Sequence, residues 1–195
     1  MAMTGFEKRF VNRPKKGERN ARIVRRHLQN LGTDRIHDAL ELGCGIGSVA
    51  AFLAREYGMQ VVGTDFDPEQ IDAARRFNPE NERLRYQVED ASALSFPDES
   101  FDLVVSQNVF HHVHGWEKAV MEVARVLRRG GYFIWVDFSY PAFMKRIFQP
   151  LVKNYGLYTW REIQRAFGSS GLVPLDVART RHAIFRYHNV LLQKP

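Results

Sequence analysis

The sequence predicts an α/β domain: a doubly wound, mainly parallel sheet that ends in an antiparallel hairpin. Strand-like and helix-like segments alternate from residue 36 to residue 138. The strand-like segments are rich in apolar residues, as in a parallel sheet covered by helices on both faces. Two final strand-like segments then follow one another with only one or two residues between them, room for a hairpin and none for a crossover helix.

The chain starts irregular and basic (KRFVNRPKKGERN). ARIVRRHLQNL then places Ile23, Val24, Leu28 and Leu31 near one face at helical spacing. IHDALEL reads as the first strand, and GSVAAFLAREYG as a helix closed by a glycine. QVVGTDF is the second strand, followed by the helix PEQIDAARRF, with Pro68 in its first turn and Asp67 as N-cap. RLRYQVED alternates Leu84, Tyr86 and Val88 as a third strand, and FDLVVSQ is a fourth. WEKAVMEVARVLRR aligns Val120, Val123, Ala124 and Leu127 on a helical stripe, and GGYFIWVDF is the fifth strand. Residues 140–158 mix aromatics with Lys and Arg around two prolines and read as an insertion. TWREIQRAFGSSG is a helix whose Thr159 and Glu162 form a capping box, and LVPLDVART and HAIFRYHNVLLQK are the closing strands.

With 195 residues, 45% hydrophobic and 26% charged, the chain has the make-up of one ordinary globular domain. Residues 1–35 form a basic N-terminal helical cap, and residues 36–195 the body. No apolar run reaches the ~18 residues of a membrane span, and MAMTGFEKRF lacks the apolar centre of a secretory signal, so the expectation is a soluble, cytoplasmic protein. Cys44 is the only cysteine, which excludes an internal disulfide and any cysteine metal cluster; no metal is expected. The net charge of +6 is uneven: residues 1–35 hold ten Lys/Arg against three Asp/Glu, residues 139–195 nine against two, and the middle nine against seventeen. Basic ends suit an anionic acceptor, a membrane face or nucleic acid, and equally well complement an acidic body.

Ligands of doubly wound sheets sit at the carboxyl ends of the strands. There Gly43, Cys44, Gly45, Ile46 and Gly47 turn the chain from the first strand into the first helix of the alternating part. Glycines let the backbone turn sharply and let a ligand reach the main-chain amides. Asp65, about twenty residues on, stands where a carboxylate accepts from both ribose hydroxyls. Phe66 beside it suits a purine face, Asp90 an exocyclic amine, and Ala91 leaves space for a flat ring. Glu41 would repel a pyrophosphate and attract an ammonium group. A nicotinamide site wants Gly-x-Gly-x-x-Gly, but the sixth position is Ser48 and the third glycine is Gly47, which sets the NAD(P)-dependent oxidoreductase reading behind the others.

ELGCGIG, VVGTDFDPEQIDAARR, VEDASALSFPDESFDLVVSQNVFHHV and EVARVLRRGGYFIWVDF together resemble the class I S-adenosylmethionine-dependent methyltransferases, especially the group called methyltransferase domain 11. The resemblance runs from about residue 36 to 138 and implies a Rossmann-like sheet in strand order 3-2-1-4-5-7-6, with strand 7 antiparallel. It implies S-adenosylmethionine as methyl donor and S-adenosylhomocysteine as product. By the same resemblance, Gly43, Cys44, Gly45 and Gly47 pack against the donor's methionine and ribose parts, and Glu41 orders the loop and meets the amino group. Asp65 holds the ribose hydroxyls, Phe66 lines the adenine, Asp90 and Ala91 receive its amino edge, and Gln107 meets the methionine end. RRGG at residues 128–131 replaces the common Lys-Pro-Gly-Gly in a surface turn.

Methyl transfer is an in-line displacement, and a general base is needed only when the acceptor must lose a proton. His111 and His112 are the candidate bases; in the competing reading one packs the short helix and the other is solvated. Asp137 and Tyr140 are weaker candidates. Ser106, Gln107, Asn108 and Val109 stand where nucleobase methyltransferases place Asn-Pro-Pro-aromatic, which turns the reading away from base methylation. The 140–158 insertion lies on the substrate side, and its basic, aromatic make-up suits a small or lipophilic acceptor, anionic ones included, met at a membrane surface. RNA or protein acceptors and a cofactor-binding protein without activity stay open; no obligate protein partner is evident.

Overall fold

The computed structural model describes residues 14–29, 31–148, 155–182 and 185–195. Its strands are β1 (Asp38–Leu42), β2 (Gln60–Asp65), β3 (Leu84–Val88), β4 (Phe101–Gln107), β5 (Leu127–Ser139), β6 (Val173–His182) and β7 (Phe185–Gln193). Its helices are α1 (Pro14–Leu28), α2 (Ser48–Tyr57), α3 (Pro68–Phe77), α4 (Trp116–Val126), α5 (Ala142–Phe148) and α6 (Trp160–Ser169). All seven strands join one sheet in the order β3-β2-β1-β4-β5-β7-β6. Pairing is parallel from β3 through β5, and β7 runs antiparallel to both β5 and β6. The doubly wound sheet and its hairpin ending are thus as the sequence predicts.

Local signals fix several elements. The Asp67 carboxylate accepts the Glu69 N–H at 3.0 Å at the start of α3. At α6, Thr159 Oγ1 accepts from Glu162 N at 3.3 Å while Glu162 Oε2 accepts from Thr159 N at 2.8 Å, so two orphan donors are satisfied reciprocally. Elsewhere the boundaries move. The helix expected from residue 21 begins at Pro14; its first turns carry no apolar stripe and place Lys16, Gly17 and Asn20 on a cavity wall. β5 begins at Leu127, where a helix was expected to continue. Its pairing with β4 jumps from Phe101↔Leu127 to Leu103↔Tyr132, looping out the RRGG segment. Arg128 there bonds Asp38 and Asp102, each at 2.8 Å. Within the 140–158 insertion the described part includes the short helix α5; residues 149–154, like the basic start before residue 14, lie outside the described residues.

Two cores flank the sheet. On one face, Trp116, Val120 and Val123 of α4 and Ile163 and Phe167 of α6 pack with Phe133 and Trp135 of β5. On the other, Val24 and Leu28 of α1, Phe52 and Leu53 of α2 and Ile71 of α3 pack with Leu103, Val105 and Ile134. Burying each such side chain contributes about 1.5–3 kcal/mol. No helix among the described residues is long and apolar enough to cross a membrane. The reversal of β7 matters most for function: it sets Tyr187, near the start of β7, opposite Phe138, near the end of β5. Residues from the beginning of β7 therefore reach the edge formed by the carboxyl ends of the parallel strands.

Candidate functional site

A cavity of about 1210 Å³ opens along that edge. Its wall includes Glu41, Gly43, Cys44, Gly45, Asp65, Phe66, Asp90, Ala91, Gln107, His111 and His112, all named from sequence. Gly47 is not on the wall. It has φ +76°, and a Cβ there would overlap the Tyr86 ring, so this glycine lets α2 close onto β3 behind the turn.

Glu41 is buried at the end of β1, and its Oε2 accepts the Ala50 N–H at 2.7 Å. Ala50 lies in the first turn of α2, so the carboxylate satisfies one of the orphan donors of that helix start. Thr64 Oγ1 donates to the Glu41 carbonyl at 2.9 Å and ties the turn to β2. Burial raises the Glu41 pKa to about 8; the Ala50 N–H opposes the rise and the nearby Asp65 carboxylate adds to it. Asp65 Oδ2 accepts from Gly45 N at 3.1 Å and Oδ1 from Asp67 N at 3.0 Å. Burial raises its pKa too, against the pull of these N–H groups. A carboxylate has about four lone-pair sites, so each oxygen keeps capacity for a further donor. Asp90 Oδ1 accepts from Ser92 N at 2.8 Å and from Ser92 Oγ at 2.7 Å, and Phe66 is 52% exposed beside it on the cavity wall.

The other half of the cavity belongs to β4, β5 and β7. Gln107 Nε2 donates to the Asn20 carbonyl of α1 at 3.2 Å, and its buried Oε1 has no partner among the described residues. His111 sits on a 3-10 turn after β4. Its Nδ1 lies 2.7 Å from Asp137 Oδ1, and its backbone N–H donates to Asp137 Oδ2 at 3.3 Å. The His112 ring lies 4.0 Å from the His111 ring and 5.8 Å from that of Tyr155. Asp137, 1% exposed, lies beneath the wall, out of reach of an acceptor. Tyr140 is not on the wall either; its ring packs on Phe138 and Phe185, and burial pushes its pKa up to about 12.

Lys16, Gly17 and Asn20 of α1 and Phe138 and Tyr187 also line the cavity and were missed from sequence. Burial and the neighbouring Arg19 lower the Lys16 pKa. A strict antiparallel register for the last strand would have found Tyr187; nothing local marks the α1 residues. The donor set fits a sulfonium nucleoside: buried acids for an ammonium group and a ribose diol, and an orphaned amide oxygen on Gln107.

Residues 40–135 match the family model described as a methyltransferase domain. The 2-methyl-6-phytyl-1,4-hydroquinone methyltransferase of Synechocystis sp. is 37% identical over 100 residues, which are 51% of this chain and 31% of that protein. The demethylmenaquinone methyltransferase of Thermus thermophilus is 38% identical over 104 residues, 52% of this chain and 47% of that one. The chain thus spans less than half the length of these relatives. The crystal structure of geranyl diphosphate C-methyltransferase from Streptomyces coelicolor A3(2), in complex with Mg2+, geranyl diphosphate and S-adenosylhomocysteine, superposes with a TM-score of 0.77 at 16% identity, covering 93% of this chain and 80% of that one. At that identity the likeness concerns the fold. Residues 40–135, just under half of the chain, thus match a methyltransferase domain, and the whole sheet has the Rossmann-like strand order of class I methyltransferase structures.

Proposed function

We propose that this protein transfers a methyl group from S-adenosylmethionine to a small, lipophilic acceptor. The observation that carries the reading is the division of one cavity into two chemically different halves, acids and a glycine turn at β1 to β3, and aromatic and imidazole groups at β4, β5 and β7. In this reading Asp65 holds the ribose hydroxyls, Glu41 faces the ammonium group, and Phe66, Asp90 and Ala91 border the adenine. When bound, the donor supplies an electrophilic methyl on a positively charged sulfur. The chain's own task is then alignment: the Gly43–Gly45 turn sets the depth of the donor end, and Phe138 and Tyr187 face the acceptor with aromatic surface. Relatives named for hydroquinone, menaquinone and geranyl diphosphate acceptors support the small-molecule choice. Exposed Phe143 and Ile147 on α5, with Arg146 between them, suit contact with a membrane surface from which such an acceptor would be drawn. A cytoplasmic setting belongs to the same reading.

The experiment is calorimetric titration with S-adenosylhomocysteine, followed by transfer of labelled methyl into an extract sorted into lipids, small molecules, protein and RNA. Label in the lipid or small-molecule fraction is expected. Label confined to RNA or protein would overturn the acceptor class, and firm binding with no label in any fraction would make the chain a cofactor-binding protein without transfer.

A further inference from the structure

We propose that Asp137 and His111 form a proton-accepting pair, with His111 as the catalytic base and Asp137 as its positioning residue, and that the acceptor nucleophile is a phenolic or enolic hydroxyl. The inference rests on the methyltransferase reading and adds to it the acceptor atom, oxygen.

The geometry singles out His111 over His112. Asp137 Oδ1 meets His111 Nδ1 at 2.7 Å and also accepts the Phe138 N–H at 2.8 Å; Oδ2 takes the backbone N–H of His111 itself. A carboxylate anchored by two backbone donors can only accept from the ring, so Nδ1 carries the proton and Nε2 presents a lone pair. Nε2 has no partner among the described residues, and the His111 side chain, 12% exposed, is on the cavity wall. The ring packs against Phe138, at 4.3 Å, and His112, at 4.0 Å between centroids, and its backbone carbonyl accepts the Gly156 N–H at 3.0 Å from a strap, residues 155–158, that meets the turn. The ionisable groups around the pair include His112 on the same turn, Tyr155 and Tyr158 on the strap and Tyr140 after β5, with Tyr187 of β7 and Lys16 of α1 elsewhere on the cavity wall.

A neutral amine or a thioether attacks a sulfonium methyl without help, so an oriented base is of use where the acceptor must lose a proton, as a hydroxyl, an ammonium group or a carbon acid does. Of these, a hydroxyl on an aromatic or enolic ring suits the aromatic wall beside His111. The hydroxyl proton passes to His111 Nε2, an oxygen lone pair forms the O–C bond, and the C–S bond breaks with its pair kept by sulfur. The imidazolium, facing Asp137, later returns the proton to solvent. Phe138 and Tyr187, 5.6 Å apart between ring centroids and inclined at 51°, give the neighbouring wall aromatic surface against which an aromatic or enolic ring can pack.

Two measurements test this. In the unliganded protein, nitrogen NMR of the His111 ring near about pH 8 should report the Nδ1–H form; an Nε2–H ring overturns the pair whatever the protein methylates. Labelled transfer to 4-methylphenol and 4-nitrophenol then separates a base from a structural staple. His111→Gln should lower kcat on 4-methylphenol by about 10²–10⁴-fold, and on the already ionised 4-nitrophenol by less than about tenfold, with S-adenosylhomocysteine affinity retained. Asp137→Asn should show the same graded pattern with a smaller fall. An equal fall on both phenols overturns the proposal in favour of a structural role, as does label entering an amine probe and neither phenol, a result that leaves the methyltransferase reading intact. Absence of both donor binding and transfer overturns the two together.

Discussion

Glu41 pulls ligand affinity and fold stability in opposite directions, and Glu41→Gln separates them. The carboxyl is buried, and its pKa stands at about 8 against an ordinary 4.5. As pH rises, the unfolded chain gives up this proton near the ordinary value, while the folded chain keeps it to about 8. In that window the folded state binds more protons, so stability falls with rising pH. At about 1.4 kcal/mol per pH unit, the full loss above the folded pKa is on the order of 3–5 kcal/mol. Glutamine keeps a carbonyl oxygen to accept the Ala50 N–H and has no charge to bury. The unliganded variant should therefore match the wild type or fall slightly below it near about pH 5, and exceed it by several kcal/mol near about pH 9. Denaturant unfolding across that range measures the gap. In the proposed role of Glu41 the same substitution removes the counter-charge of the donor's ammonium group, and it should weaken S-adenosylhomocysteine binding by about tenfold or more by calorimetry. A stability gap that stays constant with pH, or a variant destabilised throughout, would refute the reasoning.

In its proposed role Asp65 makes two charge-assisted bonds to the ribose, each about 1.5–3 kcal/mol, so with Asp65→Ala S-adenosylhomocysteine should bind at least about 100-fold more weakly by calorimetry. Gly156→Ala would drive a Cβ into the carbonyl oxygens of Phe110 and Val113, forcing the strap off the His111 turn; urea unfolding should record a loss of about 1–3 kcal/mol. His188 is bonded to Ser139 at 2.8 Å, stacked on Trp160 at 4.1 Å, and held by burial at about 4. Below the ordinary 6.5 the unfolded imidazole takes a proton that the folded one refuses, so stability should fall as pH drops from there toward 4, a slope that His188→Gln abolishes in pH-resolved melts.

Much of the fold was legible because its signals are local. The caps at Asp67 and at Thr159 with Glu162 are written within three residues, and the apolar runs of β1, β2 and β4 follow from being covered on both faces. The acids that line the donor half were legible for the same reason, since each ends a strand whose end the sequence marks. What escaped depends on contacts far apart in the chain. The start of α1 faces the cavity, so no apolar period announces it. Strand alternation at the end of β5 sends Phe138 to the wall and Asp137 beneath it, a choice that only the position of His111 gives meaning. Tyr187 reaches the site through antiparallel pairing with Phe138, 49 residues away. Gly47, expected beside the ligand, lies off the cavity wall and against the Tyr86 ring, a contact between β3 and the turn that no local signal marks.

The two halves of the cavity differ in how they relate to the segment shared with the family. Glu41, Asp65, Asp90 and Ala91 of one half and Gln107, His111 and His112 of the other lie within residues 40–135, whereas Lys16, Asn20, Phe138 and Tyr187 lie outside it. On the proposed reading, the donor end and the candidate base both lie in the shared segment, and the remaining wall that meets the acceptor comes from its flanks. The flanks would then set which acceptor fits, while the shared core presents the methyl group. A chimaera that exchanges only those flanks between two such proteins would exchange their acceptors and leave donor affinity where it was.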